Sequence, residues 1–406
     1  MGFIAMGLLG LPCALVALVY YLGFAPRWRP VVRGLVVGAV ALVVVVSMMA
    51  LTLRRLPLNM DTWRPLTTVA LTGLPVVAYT MIGLVPVVVA DLVWRARSRR
   101  SGPAPSRPRR VGFLRWATCL VVALALGVTG FGWVRAHAPA LTPVTIVSDQ
   151  LPASFDGYRI ALITDLHIGP GLSRAFLQQV VDETNAARPD LVVIAGDLVD
   201  GTVAELGGDL APLAGLTAPD GVVVTTGNHE FYTGEPARWV ADYAALGLRV
   251  LDNDGVVLTR GDASIDVLGV NDRTGTAPLE PDLALAAQRL HDATGVPVDG
   301  TGRFRILVAH EPKQVLDDGD GGGVPVTGTG LPARLGVDLA LVGHTHGGQL
   351  WPLTALIGAV QPVRDGVHDL AGVTTVTSRG AGAWGPPVRV GAPPEIPLIT
   401  LRTHLG

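Results

Sequence analysis

Four long, uncharged apolar runs fill most of the first third of the chain, at residues 3–24, 34–53, 66–90 and 116–134. After residue 157 the pattern changes to short Val/Ile/Leu-rich runs alternating with helical periods. A helix needs about 20 apolar residues to cross ~30 Å of hydrocarbon, so each of the four runs predicts a membrane span. Pro75 and Pro86 in the third run are tolerable in lipid, where neighbouring helices re-satisfy the freed carbonyls. Downstream, residues 158–164, 191–195, 221–226, 304–309 and 337–342 predict buried strands, and 173–187, 235–246 and 281–291 predict helices. Hairpin character is expected around 256–270. The pattern therefore divides the chain into a multi-pass helical membrane region (1–134, about four helices), a Pro-, Ala- and Thr-containing linker (135–157) and an α/β domain (158–406).

Composition supports this division. The chain is 49% hydrophobic and 16% charged, with a mean hydropathy of +0.45, too apolar for an ordinary soluble domain. Net charge is −2, but arginines crowd the first third while acidic residues concentrate after Asp149. Residues 95–110 carry seven arginines and no acid, 25–33 carry three, and 54–65 carry three with Asp61. The positive-inside rule then places the first two loops in the cytoplasm and the domain after the fourth run outside it, in a multi-pass protein of the cell membrane. The arginine cluster is short and flanked by apolar runs, so no nucleic-acid partner is expected. The first run is not a signal peptide by pattern, because no basic residue precedes it. Cys13 and Cys119 lie in apolar runs and form no disulfide framework.

Chemistry enters at the strand ends. Five predicted strands in turn finish in metal-ligand types: Asp165-Leu166-His167, Gly196-Asp197, Gly227-Asn228-His229-Glu230, His310-Glu311 and Gly343-His344-Thr345-His346. Taken one at a time, an Asp after a strand caps a helix and an Asn sits in a turn. Together, five of the nine histidines stand at strand ends beside carboxylates. Oxygen and imidazole donors without thiolate suit borderline divalent ions such as Mn, Fe or Zn. So many groups exceed what one ion takes, and a carboxylate such as Asp197 can bridge two ions held ~3.5–4 Å apart. Asp317, Asp318 and Asp320 lack the spacing and terminal Glu of a calcium loop, and the Gly-rich 317–330 and polar 292–303 stretches read as flexible loops beside the site.

The ordered set D-x-H, GD, GNHE, H and GHTHGGQ, with Ser378-Arg379-Gly380 following, resembles the calcineurin-like metallophosphoesterases, and within them the membrane-associated YaeI/YkuE-type branch. The resemblance covers residues 158–401 and excludes the apolar front end. It implies a domain of α+β sandwich type and two divalent metals. One metal would be held by Asp165, His167, Asp197 and His346, the other by Asp197, Asn228, His310 and His344. It further implies phosphoester hydrolysis by a metal-bridging hydroxide, with His229 off the metals as the catalytic acid. The expected function is thus a membrane-anchored phosphoesterase of mono- or diesters, with the lipid bilayer and a lipid-linked or envelope phosphoester as its partners. The alternative is a membrane sensor or assembly protein that binds metal without turnover. No Walker A pattern, Gly-x-Ser-x-Gly elbow or His-Glu-x-x-His is present to support another hydrolase class.

Overall fold

The computed structural model describes residues 60–101, 107–317 and 330–404. Among the described residues the chain divides into a helical unit, Pro65–Val134, and a second unit that takes in the segment up to Arg64 and Arg135 onward. In the first, helix α1 (Met60–Ser101) and helix α2 (Arg107–Ala136) contain the third and fourth apolar runs. α1 is continuous through Pro65, Pro75 and Pro86. The stretches Trp63–Ser98 and Gly112–Ala136 are long and apolar enough to cross a membrane. Their large apolar side chains, among them Val69, Leu120 and Phe131, stand exposed, as suits lipid-facing helices. The runs at 3–24 and 34–53 lie outside the described residues.

Two six-stranded sheets make the second unit. The first has the order β1 (Ala140–Val147), β12 (Glu395–Arg402), β2 (Arg159–Ile163), β3 (Leu191–Ala195), β4 (Val222–Thr225), β5 (Arg249–Val250). The second has the order β10 (Gly366–Leu370), β11 (Val373–Thr377), β9 (Leu339–Val342), β8 (Phe304–Val308), β7 (Ala263–Gly269), β6 (Asp254–Arg260). β2 to β5 run parallel, as do β7, β8, β9 and β11. The expected hairpin is the antiparallel pair β6 and β7.

Strand periodicity explains the layering, since alternate side chains leave a strand on opposite faces. Ile160, Leu162, Leu191 and Val193 meet Phe304, Ile306, Leu339 and Leu341 in the core between the sheets. Their neighbours Ala161, Ile163, Val192 and Ile194 pack outward on Phe176, Leu177 and Val180 of helix α3 (Arg174–Ala186) and on Trp239 and Tyr243 of helix α4 (Pro236–Ala245). On the other side, Leu307, Ala340 and Val342 share a cluster with Ala286, Ala287 and Leu290 of helix α5 (Leu283–Thr294). Both sheets are covered on both faces, which is why their inner strands are continuous apolar runs.

Two expectations require correction. The segment 135–157 is no linker: it supplies β1, which pairs in parallel with β12 along eight residues from Ala140↔Glu395 to Val147↔Arg402. Nor is 292–303 a loose loop. It begins inside α5, and the carbonyls of Pro297 and Val298 accept hydrogen bonds of 2.8 and 2.7 Å from the buried Arg305 guanidinium. Residues 318–329 lie outside the described set.

Candidate metal centre

Every predicted ligand follows a strand, and the C-terminal ends of β2, β3, β4, β8 and β9 bring them to one place. Asp165 and His167 follow β2, Asp197 follows β3, Asn228 and His229 follow β4, His310 follows β8, and His344 and His346 follow β9. The chain bends sharply at the ligands themselves: Asp165, His167, Asp197, His344 and His346 all have left-handed backbones, with φ of 54°, 46°, 55°, 71° and 51°. Each such residue costs about 1–3 kcal/mol and persists only where its surroundings enforce it, and such strain gathers at functional sites. Close approach of the loops is the enforcing element. A Cβ on Gly196 would lie 2.5 Å from the Gly227 nitrogen, so only glycine lets the backbones of the Gly-Asp and Gly-Asn turns approach this closely.

The side chains form two adjoining groups that share one carboxylate. In the first, His167 Nε2 and His346 Nε2 lie 2.9 Å apart, and Asp165 Oδ1 is 3.3 Å from His346 Nε2. In the second, Asn228 Oδ1 is 3.1 Å from His310 Nε2 and 3.0 Å from His344 Nδ1, and these two nitrogens are 3.3 Å apart. Asp197 Oδ2 faces both, 3.7 Å from His167 Nε2 and 3.2 Å from His310 Nε2. Asp165, His167 and His346 form one cluster able to hold a metal ion, and Asp165, Asp197 and His310 another. His229 also comes within reach of His167 and Asp197, although its Nδ1 is engaged elsewhere.

The electrostatics suit cations. Burial, the charge of Arg389 and then that of His167 hold His346 well below the ordinary imidazole range, and burial with the neighbouring His310 lowers His344. Both are therefore neutral at pH 7, as a metal-ligating imidazole must be. Burial alone would raise Asp197, but the charges of His310 and His229 outweigh it and hold the carboxyl well below its usual range. Burial likewise works against a charged His310, and Asp197 reverses that and raises it well above 6.5. An ionised carboxylate that draws positive charge to itself, ringed by oxygen and imidazole donors, fits borderline divalent metals.

Three residues without a predicted role complete the centre. Asp200 Oδ1 accepts from His229 Nδ1 at 2.6 Å and from His167 Nδ1 at 3.1 Å, which leaves His167 Nε2 to face the cluster. Burial disfavours protonated His229, but the Asp197 and Asp200 charges prevail and lift its pKa to about 9. Glu230 is wholly buried and accepts from the backbone nitrogens of Asp197, Leu198 and Gly227 at 3.1, 2.8 and 2.6 Å and from the Tyr243 hydroxyl at 2.9 Å, tying two ligand loops together. Arg389 donates to the His346 carbonyl at 2.8 Å and lies 3.0 Å from His346 Nδ1. The spacing Asp197-x-x-Asp200 was one available signal. Arg389, the one charged residue in the stretch 380–394, was another.

The family model of the Calcineurin-like phosphoesterases matches residues 158–348, the span that contains all the candidate ligands. A Danio rerio protein named "Transmembrane protein with metallophosphoesterase domain" is 30% identical over 77% of this chain and 68% of its own length. The Bos taurus protein of the same name is 31% identical over 77% and 67%. A Bacillus subtilis metallophosphoesterase, YkuE, is 29% identical over 69% of this chain and 94% of its own. With its ligand loops inside the matched span and relatives alike over most of its length, the chain belongs to the calcineurin-like phosphoesterase family.

Proposed function

We propose that the protein is a membrane-anchored, two-metal phosphoesterase that hydrolyses phosphate mono- or diesters. The observation that carries this reading is the single Asp197 oxygen facing His167 on one side and His310 on the other, with His229 fixed beside it. Asp165, His167, Asp197 and His346 would hold one ion, and Asp197, Asn228, His310 and His344 the second. Two divalent ions held there would supply Lewis acidity, lowering the pKa of bound water and neutralising phosphoryl oxygens. The protein's own part is orientation and proton transfer. Asp200 and the Asp197 carboxylate, which accepts from the His229 backbone nitrogen at 2.8 Å, hold the imidazole in place. Its protonated Nε2 is then presented to the leaving-group oxygen as general acid. A binding-only protein has no use for an acid so placed.

Metal removal tests the reading. The chelated full-length protein should hydrolyse neither p-nitrophenyl nor bis-p-nitrophenyl phosphate, and Mn, Fe or Zn should restore activity. Full-rate hydrolysis by protein shown to contain no metal would refute a metal-dependent reaction.

The two described apolar helices, together with relatives named as transmembrane proteins, support anchoring in the cell membrane. The arginine bias of the loops supports four spans with the domain outside the cytoplasm, so that lipid-linked or envelope phosphoesters are the proposed substrates. Protease added to sealed spheroplasts should digest the segment after Arg135. If that segment is cut only after lysis, the domain is cytoplasmic.

A further inference from the structure

The stretch 351–362, Trp-Pro-Leu-Thr-Ala-Leu-Ile-Gly-Ala-Val-Gln-Pro, has no charged residue, and yet it lies on the surface. Trp351 is 50% exposed, Leu356 58% and Val360 63%. Of the nine large apolar side chains exposed among the described residues after 140, six fall between Trp351 and Trp384. Scattered exposed apolar residues need no explanation, but a patch of them marks an interaction surface.

The patch sits on the loop that carries the histidines. Gln349, three residues past His346, donates its side-chain amide to the Trp384 carbonyl and accepts from the Trp384 nitrogen, both at 2.8 Å. The Trp351 nitrogen donates to the Val390 carbonyl at 2.9 Å. These bonds join the two exposed indoles to one rim of the metal centre. Indoles are the side chains favoured where hydrocarbon meets water.

Chain connectivity indicates what covers this rim. The apolar helix α2 ends at Ala136 and β1 begins at Ala140, so only residues 137–139 intervene. Ala140 pairs with Glu395, the first residue of β12. Glu395 donates from its backbone nitrogen to the Gly380 carbonyl at 3.0 Å, and a Cβ on Gly380 would lie 2.7 Å from the Asp165 Cβ. Because β12 runs antiparallel to β2, this is the end of the sheet at which the ligands gather. The strand that follows the apolar helix in sequence therefore begins at the ligand end of the domain, the same end that carries the exposed patch.

We propose that the 351–362 stretch and Trp384 form a bilayer-docking surface that seats the mouth of the metal centre among lipid headgroups. Apolar side chains of a short interfacial segment enter the headgroup and acyl boundary by ~5–10 Å. Given the phosphoesterase reading above, the site then meets phosphoesters held in the membrane rather than dissolved ones.

The test needs no turnover, so it distinguishes failure of docking from failure of the enzymatic reading. The full chain carrying Cys13→Ser, Cys119→Ser and Leu356→Cys is labelled with an environment-sensitive dye and placed in phosphatidylcholine nanodiscs. A matching label goes on Gln178→Cys, an exposed position on α3. Docking predicts blue-shifted emission for the Leu356→Cys label, quenched at least twofold by doxyl-labelled lipid, with neither change for the Gln178→Cys label. Water-like emission from both labels would overturn the proposal. So would a blue shift that lipid does not quench and that vanishes at one chain per disc, since a second copy would then cover the patch. A lipid-insensitive shift that persists at one chain per disc would also overturn it, because the label would be buried against protein.

Discussion

The two sheets contribute unequally to one site. The first supplies both candidate ligand carboxylates, Asp165 and Asp197, the amide of Asn228 and the two histidines held by Asp200; the second supplies the candidate ligands His310, His344 and His346. One sheet thus brings the negative charge, and the other brings imidazoles, two of which burial holds neutral. The difference shows that neither half is a metal site alone. Without the second sheet the Asp165 and Asp197 carboxylates lack three of the imidazoles, and without the first those imidazoles lack both carboxylates. The site exists only where the packed core between the sheets fixes the distance from Asp197 to His310.

The strongest test of this asymmetry sets a ligand of one sheet against a ligand of the other. Asp197→Ala removes the shared carboxylate and should abolish both metal binding and hydrolysis. His344→Ala removes one neutral donor from one group and should leave about one metal per chain, with activity greatly reduced. Metal analysis showing equal depletion in the two variants would break the comparison. A smaller effect is expected for His229→Ala, whose ring lies on the first sheet but serves the leaving group. Its metal content should match wild type while the rate falls about 10²–10⁴-fold, the usual worth of a general acid. The loss should be steepest for substrates with poor leaving groups, and a rate independent of leaving-group pKa would remove His229 from that role.

The convergence of the candidate ligands was readable in the sequence because each position depends on two local facts, an apolar run that ends and a polar residue beside glycine. β2, β3, β4, β8 and β9 are buried on both faces and read as unbroken runs, and the ligands fall within a few residues of their ends. What escaped depends on distant parts of the chain. β1 contains Pro143 and buries only Ile146, so it read as irregular chain; an edge strand can tolerate both features. β10 is exposed along most of its length and leaves no apolar signature. Asp200 is an ordinary turn residue until the fold sets His167 and His229 on either side of it. Arg389 takes its role from the carbonyls of Gly382 and His346, which no local pattern connects to it.

The position of β12 has a consequence for how the protein is made. It lies between β1 and β2, yet every ligand from Asp165 to His346 precedes it in the sequence. During synthesis all the candidate metal-binding groups therefore emerge before the strand that joins β1 to the rest of their scaffold. Metal capture in the final geometry is expected as a late, post-translational event, and nascent chains arrested before Glu395 should stay sensitive to protease with or without added Mn. Protection of such chains by metal would show instead that the ligand loops assemble without β12.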